Sequence, residues 1–409
     1  MTNGPGLQRP QSPRSAAPHE VSTRDSDGRQ QAKAVDVRES GIVPARTRAL
    51  HQGMPCAVSL TPSRDGISEF GAAVASAGDM LLVGGRMRDG EHGSAPFATM
   101  YRVTSEGVVR ERLLRGSLAH GGPSISTDGL RVAVGQPAPE GGLGFVSVYR
   151  RRETELELEA TLELKPDDPA CASFGQLVAI DRDLLVLGQP ASVSVYRHSA
   201  VGWLAAGTPR PALPYEWNPR FGLSCAVSAG RVLVGNPVEI DGHRAGPGRV
   251  FVYRRDGDQL ELESELSGDG IEGGREAEPR LGFGASIHTA GEFVLISAPY
   301  ELSASGAAQS RVYVYRVLAG ALTRVAALEV PSCRTMCLAG ERLFVLGEAL
   351  HVYTRRGNSF EELASYPVDD YARASATMSV CGQLLVLGYP VGPDEGDTGE
   401  VALHFTEQF

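Results

Sequence analysis

Phe70–Arg86 reads FGAAVASAGDMLLVGGR, and close copies return at Phe174–Pro190 (FGQLVAIDRDLLVLGQP), Phe221–Pro237 (FGLSCAVSAGRVLVGNP) and Phe283–Pro299 (FGASIHTAGEFVLISAP). The glycine closing the second apolar run falls at Gly84, Gly135, Gly188, Gly235, Gly347 and Gly388, with Ser297 taking its place once. A second marker follows each: MYR at Met100, VYR at Val148, Val195, Val252 and Val314, VYT at Val352, and LHF at Leu403. Two independent markers share one register, spaced roughly 50 residues apart with only short apolar segments between them, and that period predicts propeller blades.

Each unit has room for four strands. DMLLVGG and DLLVLGQ are unbroken apolar runs, as expected of strands covered on both faces. FVSVYR and RVFVYR alternate more strongly. The next segment, ELELEATLEL, places Leu156, Leu158, Ala160, Leu162 and Leu164 on one side and Glu155, Glu157, Glu159, Thr161 and Glu163 on the other. A half-solvated acidic strand suits the outer edge of a blade, where charge discourages edge-to-edge pairing. The expected fold is all-β: a seven-bladed β-propeller of four-stranded blades over 53–409.

Residues 1–52 have no aromatic side chain and are rich in Pro, Ser, Gln and Arg. Such a stretch buries too little apolar surface to offset its ordering entropy and reads as a disordered tail. The net charge of -10 disfavours nucleic acid as a partner. Lys33 and Lys165 are the only lysines, an arginine bias that reads as GC-rich, bacterial coding. No apolar run has the length of a membrane span or a secretory signal, so the expected location is cytoplasmic, or outside the cell by a route without an ordinary signal peptide. Cys56, Cys171, Cys225, Cys333, Cys337 and Cys381 are scattered. Cys333 and Cys337, four residues apart on or beside one strand, stand too far apart for one metal or one disulfide, and the six read as small apolar side chains.

The unit resembles the FG-GAP repeat of integrin α-subunit propellers and their bacterial relatives. The resemblance rests on Phe174-Gly175 with Gly188-Gln189-Pro190, Phe221-Gly222 with Gly235-Asn236-Pro237, and Phe283-Gly284 with Ser297-Ala298-Pro299. Phe70-Gly71 keeps the first half, whereas Gly121-Gly122, Cys333-Arg334 and Ala374-Ser375 stand where Phe-Gly has decayed. The resemblance implies the fold and says little about function. It also implies a calcium loop between the first two strands of a blade. The turns here (SAGD, STDG, IDRD, SAGR, TAGE) are too short and too poor in carboxylates to supply six to eight oxygen ligands. GPDEGDTGE from Gly392 is the one loop with several oxygens, readable as a weak cation site or as a solvated turn. No cofactor and no metal ligands are assigned.

The last unit ends after its third strand, and its missing edge strand is sought ahead of the first Phe-Gly. SLTPSRDGISEFG from Ser59 aligns without a gap on ELKPDDPACASFG from Glu163, pairing Leu60 with Leu164. Residues near Cys56 to Leu60 are therefore expected to complete the seventh blade and close the ring.

Nucleophile elbows, zinc-protease motifs and phosphate loops are absent from the sequence. His120 and His288 fall near blade starts, but the corresponding places elsewhere hold Gln176, Leu223 and Arg334, which share no ligand chemistry. Consecutive strands run antiparallel, so the loops joining strands one to two and three to four share one face of the disc. Those loops are short. The other face collects the strand two-to-three loops and the inter-blade links, including GRMRDGEHGSAP from Gly85, NPVEIDGHRAGPG from Asn236 and GTPRPALPYEWNPR from Gly207. Long loops on a rigid scaffold are where binding residues concentrate, and it is the face that the resemblance implies for partners. The expected function is a non-enzymatic binding or scaffold propeller for a protein or glycan, acting as a monomer or as a subunit of a larger assembly. Tyr215, Trp217 and Arg220 are the expected anchors, with Arg86, Arg88 and His243 on the rim; Trp203 is expected to pack within an outer strand. The alternative is a propeller enzyme, a hydrolase or lyase, with residues converging on the channel mouth.

Overall fold

The structure is a computed structural model that describes residues 58–62, 66–88, 94–104, 107–115, 124–138, 143–153, 155–164, 173–189, 191–209, 220–241, 244–257, 259–270, 282–303, 305–318, 320–368, 376–390 and 399–409. The proposed tail, Cys56, His120, Cys171 and most of the acidic loop after Gly392 lie outside them. Seven four-stranded antiparallel sheets form a seven-bladed propeller. Blade 1 comprises Ile67–Ala77, Met80–Arg88, Ser94–Thr104 and Gly107–Arg115; blade 2 Ser124–Thr127, Arg131–Gln136, Phe145–Arg152 and Glu155–Glu163; blade 3 Leu177–Asp181, Leu184–Gln189, Ser192–Ser199 and Gly202–Gly207. Blade 4 comprises Ser224–Ser228, Arg231–Asn236, Arg249–Asp256 and Gln259–Ser267; blade 5 Ile287–Ala290, Phe293–Leu302, Ala308–Leu318 and Ala321–Val330; blade 6 Thr335–Ala339, Arg342–Leu346, Ala349–Arg356 and Ser359–Pro367. Blade 7 joins Thr377–Cys381, Leu384–Tyr389 and Glu400–Phe405 to Val58–Leu60.

The two repeated glycines meet across the seams between blades. A Cβ on Gly135 of blade 2 would lie 2.0 Å from the carbonyl oxygen of Gly175 in blade 3. The same clash recurs from Gly188 to Gly222 (2.6 Å), Gly235 to Gly284 (2.3 Å) and Gly388 to Gly71 (2.3 Å). The Phe-Gly glycines themselves have φ of +85 to +95°, which a side chain disfavours. The phrase is thus an assembly code, in which the strand-two glycine of one blade receives the Phe-Gly glycine of the next. The adjoining phenylalanine fills the seam: Phe174 is fully buried among Ala133, Val146 and Leu162 of the preceding blade. Its burial contributes roughly 1.5–3 kcal/mol. At the seam of blades 5 and 6 both glycines are replaced together, by Ser297 and Arg334.

The ring closes as expected, by Val58–Leu60 pairing with the third strand of blade 7. Its register differs from the ungapped alignment by two residues. Leu60 sits opposite Val401, and the residue facing the equivalent Val146 in blade 2 is Leu162, not Leu164. A two-residue offset preserves which side chains face inward, so Leu60 is still fully buried.

The outer strands depart from the strict alternation expected of them. Every outer strand of blades 1 to 6 has an irregularity opposite the Val-Tyr step of its neighbour, Met100-Tyr101 in blade 1; in blade 2, Val148 faces Ala160 while Tyr149 faces Leu158, leaving Glu159 bulged. The bulge turns Glu159 toward the guanidinium of Arg131 (Nε–Oε2 2.7 Å) and leaves Leu158 52% exposed. Trp203 donates from Nε1 to the same oxygen at 3.0 Å and is buried in the outer strand of blade 3, as expected. Glu263 repeats the device with Arg231 in blade 4 (2.8 Å).

The clasps also show an alternation between blades. Arg151 of blade 2 donates to Asp79 of blade 1 (2.6 and 2.9 Å), and Arg255 of blade 4 donates to Asp183 of blade 3 (2.6 Å). Arg355 of blade 6 lies 4.8 Å over the Phe293 ring of blade 5. Each even blade lends one arginine to the odd blade before it, a two-blade repeat superimposed on the seven.

Candidate functional site: the long-loop face

The two faces of the disc are built differently. On one, the described blades turn between strands one and two, and between three and four, in two residues, or three at Asp128–Leu130. Ala229 and Gly230 both have positive φ (50 and 73°), the conformation of a tight hairpin turn.

On the opposite face, strands of three blades run on past the disc as arms. In blade 1, Arg86, Met87 and Arg88 continue the ladder against Pro96, Ala95 and Ser94, and Ile67 and Ser68 add a third strand. Blade 4 carries a separate hairpin, Glu239–Asp241 against Arg244–Gly246. Blade 5 extends through Glu301 opposite Gln309 and Leu302 opposite Ala308. Blades 3 and 6 close the same connection at once, with Gln189 facing Ser192 and the Gly347 amide donating to Ala349.

Of the anchors expected from sequence, Arg220 is exposed just ahead of Phe221-Gly222, where the chain enters blade 4. Arg86 is half-buried in the blade 1 arm and Arg88 ends its second strand. These arginines share the long-loop face but stand three blades apart, so they do not form one cluster. Tyr215, Trp217 and His243 lie outside the described residues.

The innermost strands ring the central channel, and their free backbone edges are met by neighbouring blades. Ser124 and Ser126 of blade 2 accept from the amides of Val178 and Ile180 in blade 3 at 2.9 and 3.1 Å, and Asp128 accepts from Arg182 at 2.8 Å. Ser76 donates to the Val380 carbonyl at 2.6 Å across the closing seam. Among the described residues of these strands, His288 is the one imidazole, and Glu69 and Asp181 are the carboxylates. His288 is half-buried yet surrounded by protein, which pushes its pKa down to about 4. The described residues contain no group of three or more His, Cys, Asp or Glu side chains placed to hold a metal ion.

A polar cluster that the sequence reading missed lies at the root of the blade 5 arm. Glu301 is 2% exposed; its Oε2 accepts from the Tyr313 hydroxyl at 2.6 Å, and that hydroxyl accepts from the Asp269 amide at 2.7 Å. Arg311 stands 3.8 Å from Glu301, 3.7 Å from Asp269 and 2.9 Å from Glu329, while Arg324 binds Asp269 at 2.6 Å. Burial is the largest influence on the Glu301 carboxyl and raises its pKa above the usual 4.5, against the opposing pull of Tyr313 and Arg311. One sequence signal marked the place. Blade 5 alone reads VYVYR, with Tyr313 where the corresponding strands carry Thr99, Ser147, Ser194, Phe251, His351 or Ala402.

The described cysteines, Cys225, Cys333, Cys337 and Cys381, are buried free thiols. Burial raises all four, Cys381 to about 11 and Cys333 to about 12. No described helix is long and apolar enough to cross a membrane.

No family model matches this chain, and no curated protein does. Solved structures do. A chain of the mitotic checkpoint complex aligns over 90% of this chain and 99% of its own length, with 10% identity and a TM-score of 0.54. A protein from Lactobacillus plantarum aligns over 76% and 88% with 15% identity and a TM-score of 0.47. The β-propeller domain of the Trilobed protease from Pyrococcus furiosus, which has an open velcro topology, aligns over 79% and 91% with 11% identity and a TM-score of 0.44. At 10% identity the likeness to the checkpoint-complex chain is one of fold, and its own seven four-stranded sheets make this chain a seven-bladed β-propeller.

Proposed function

We propose that this chain is a non-enzymatic binding or scaffold propeller that holds a protein or glycan partner on its long-loop face, and that its repeats are of the FG-GAP kind. The supporting observation is the asymmetry of the disc. One face is trimmed to two- and three-residue turns, while the other carries paired arms on blades 1, 4 and 5 that ring closure does not require. Ordered projections on a rigid ring are suited to recognition. Among the described residues the innermost strands are mainly small and hydroxyl-bearing, and their one imidazole, His288, and two carboxylates, Glu69 and Asp181, stand in three different blades, which favours binding over hydrolysis or elimination at the channel. Tyr215 and Trp217 are the aromatic anchors in this reading, with Arg220 beside them and Arg86, Arg88 and His243 outside them.

The test uses the full chain as bait in native lysate. Tyr215→Ala with Trp217→Ala should weaken capture of the bound partner by about 1–2 kcal/mol, roughly ten-fold, while the melting temperature holds. Unchanged capture by that double variant would remove the anchors from the account.

A further inference from the structure

The Glu301 cluster stands at the seam where Tyr313 packs with Leu233, Val250 and Val252 of blade 4, and the geometry of its polar contacts is that of a fastening. Gly268, Asp269 and Gly270 leave the outer strand of blade 4 and cross to the root of the blade 5 arm. There the Asp269 amide is held by the Tyr313 hydroxyl, which is itself held by Glu301. The second carboxyl oxygen, Oε1, is buried without a hydrogen bond of good geometry, and the Gly270 amide also faces the carboxyl and opposes the effect of burial. Oε1 is pressed against Gly268, where a Cβ would sit 1.9 Å away; a Cβ on Gly270 would stand 3.2 Å from the Glu301 Cβ. We propose that Glu301 is a proton-operated latch: as a neutral carboxyl it fastens Gly268–Gly270 to the blade 5 arm, and on ionising it releases them.

The charges around it decide the direction. From the third strand of blade 5 come Arg311 and Tyr313, from the fourth Arg324 and Glu329, and from the crossing segment Asp269. Arg311 is shared with Glu329 and Asp269, and Arg324 is committed to Asp269 and lies 5.7 Å over the Tyr313 ring. The two cations thus already face two carboxylates, and an ionised Glu301 adds a third negative charge with one oxygen unsolvated. Burial raises this carboxyl, so the closed form binds the proton more tightly than the open form. The latch's contribution is therefore complete below about 4.5, the usual glutamate value, and is lost as pH rises through the raised value. The latch does not depend on what the face binds.

Hydrogen exchange of the full-length chain reads the latch directly, as protection factors at Gly268–Gly270 corrected for the intrinsic pH dependence of exchange. Protection of the Asp269 amide should fall at least about ten-fold between pH 4.5 and neutrality. Glu301→Gln retains an acceptor for Tyr313 without the charge and should hold protection level across that range. Tyr313→Phe removes the relay and should leave Asp269 poorly protected throughout. Level protection in the unaltered chain, or the same fall in Glu301→Gln, overturns the proposal, as does full protection in Tyr313→Phe. A carboxyl-carbon NMR titration of the unaltered chain needs no variant: Glu301 titrating at or below 4.5 also overturns it.

Discussion

Gly135→Ala should damage this fold more than any ordinary glycine substitution. The added methyl would lie 2.0 Å from the Gly175 carbonyl oxygen, where ordinary contact begins near 3.4 Å, and the obstacle is backbone that cannot rotate aside. The seam between blades 2 and 3 must therefore open by roughly 1.4 Å, beyond the gap of about 0.5–1 Å that already forfeits a quarter to a half of the dispersion energy of the contacts it separates. Those contacts include Phe174, Val178, Leu185 and Leu187 against Ala133, Val146 and Leu162. Overpacking typically costs 1–3 kcal/mol, and an immovable backbone obstacle places this case at about 3 kcal/mol or above. Gly230→Ala is the control. Its φ of 73° is strained for alanine, but nothing lies within 4 Å of the new methyl, so the expected loss is about 1 kcal/mol. Urea midpoints of the two variants, measured side by side, decide the matter. Losses within about 0.5 kcal/mol of each other would show that the glycine-to-glycine seam is not what the repeat encodes.

Ring closure predicts that removing residues 1–50 leaves the melting temperature unchanged, whereas removing 1–66 takes away Val58–Leu60, exposes the edge of Glu400–Phe405 and causes aggregation. Within that strand, Leu60→Ala should cost about 3 kcal/mol in urea unfolding, since the side chain is fully buried. Burial alone would raise the Glu159 carboxyl, but hydrogen bonds from Arg131 and Trp203 outweigh it and hold its pKa below the usual 4.5. Glu159→Gln should therefore cost about 2–3 kcal/mol at neutral pH, and the gap from the unaltered chain should close as pH falls through that lowered value. The buried thiols of Cys225, Cys333, Cys337 and Cys381 should react with a thiol reagent at neutral pH only as fast as the seams open, and denaturant should release all four together.

The sequence displayed its period because the seam glycines and the buried Phe and Val-Tyr positions have steric reasons that recur in most blades. Gly135 and Gly175 are 40 residues apart in sequence and meet across one seam, so a seam built this way repeats both, whereas the seam of blades 5 and 6 has lost both together. Ring closure was legible for the same reason, since Val401 needs a partner just as Val146 does. The two-residue offset of Leu60 was not legible, because an even slip leaves the inward pattern unchanged. Nor was the bulge at Glu159, whose alternating letters conceal an extra residue that only pairing reveals. The Glu301 cluster joins residues from a blade 5 arm and from the segment leaving blade 4, a meeting that no spacing specifies. Arg86 and Arg220 share the long-loop face but not one patch, because face follows from strand direction while position around the ring follows from blade number.

Capture by chains with one face reversed in charge tests most directly whether the long-loop face is the recognition surface. One chain carries Arg86→Glu and Arg220→Glu; the other carries Arg152→Glu and Arg356→Glu on the short-turn face, where both side chains are mostly exposed. Each is compared with the unaltered chain for partner capture at equal melting temperature. The account predicts that the first pair abolishes capture and the second leaves it intact; loss of capture by the second pair alone would contradict it.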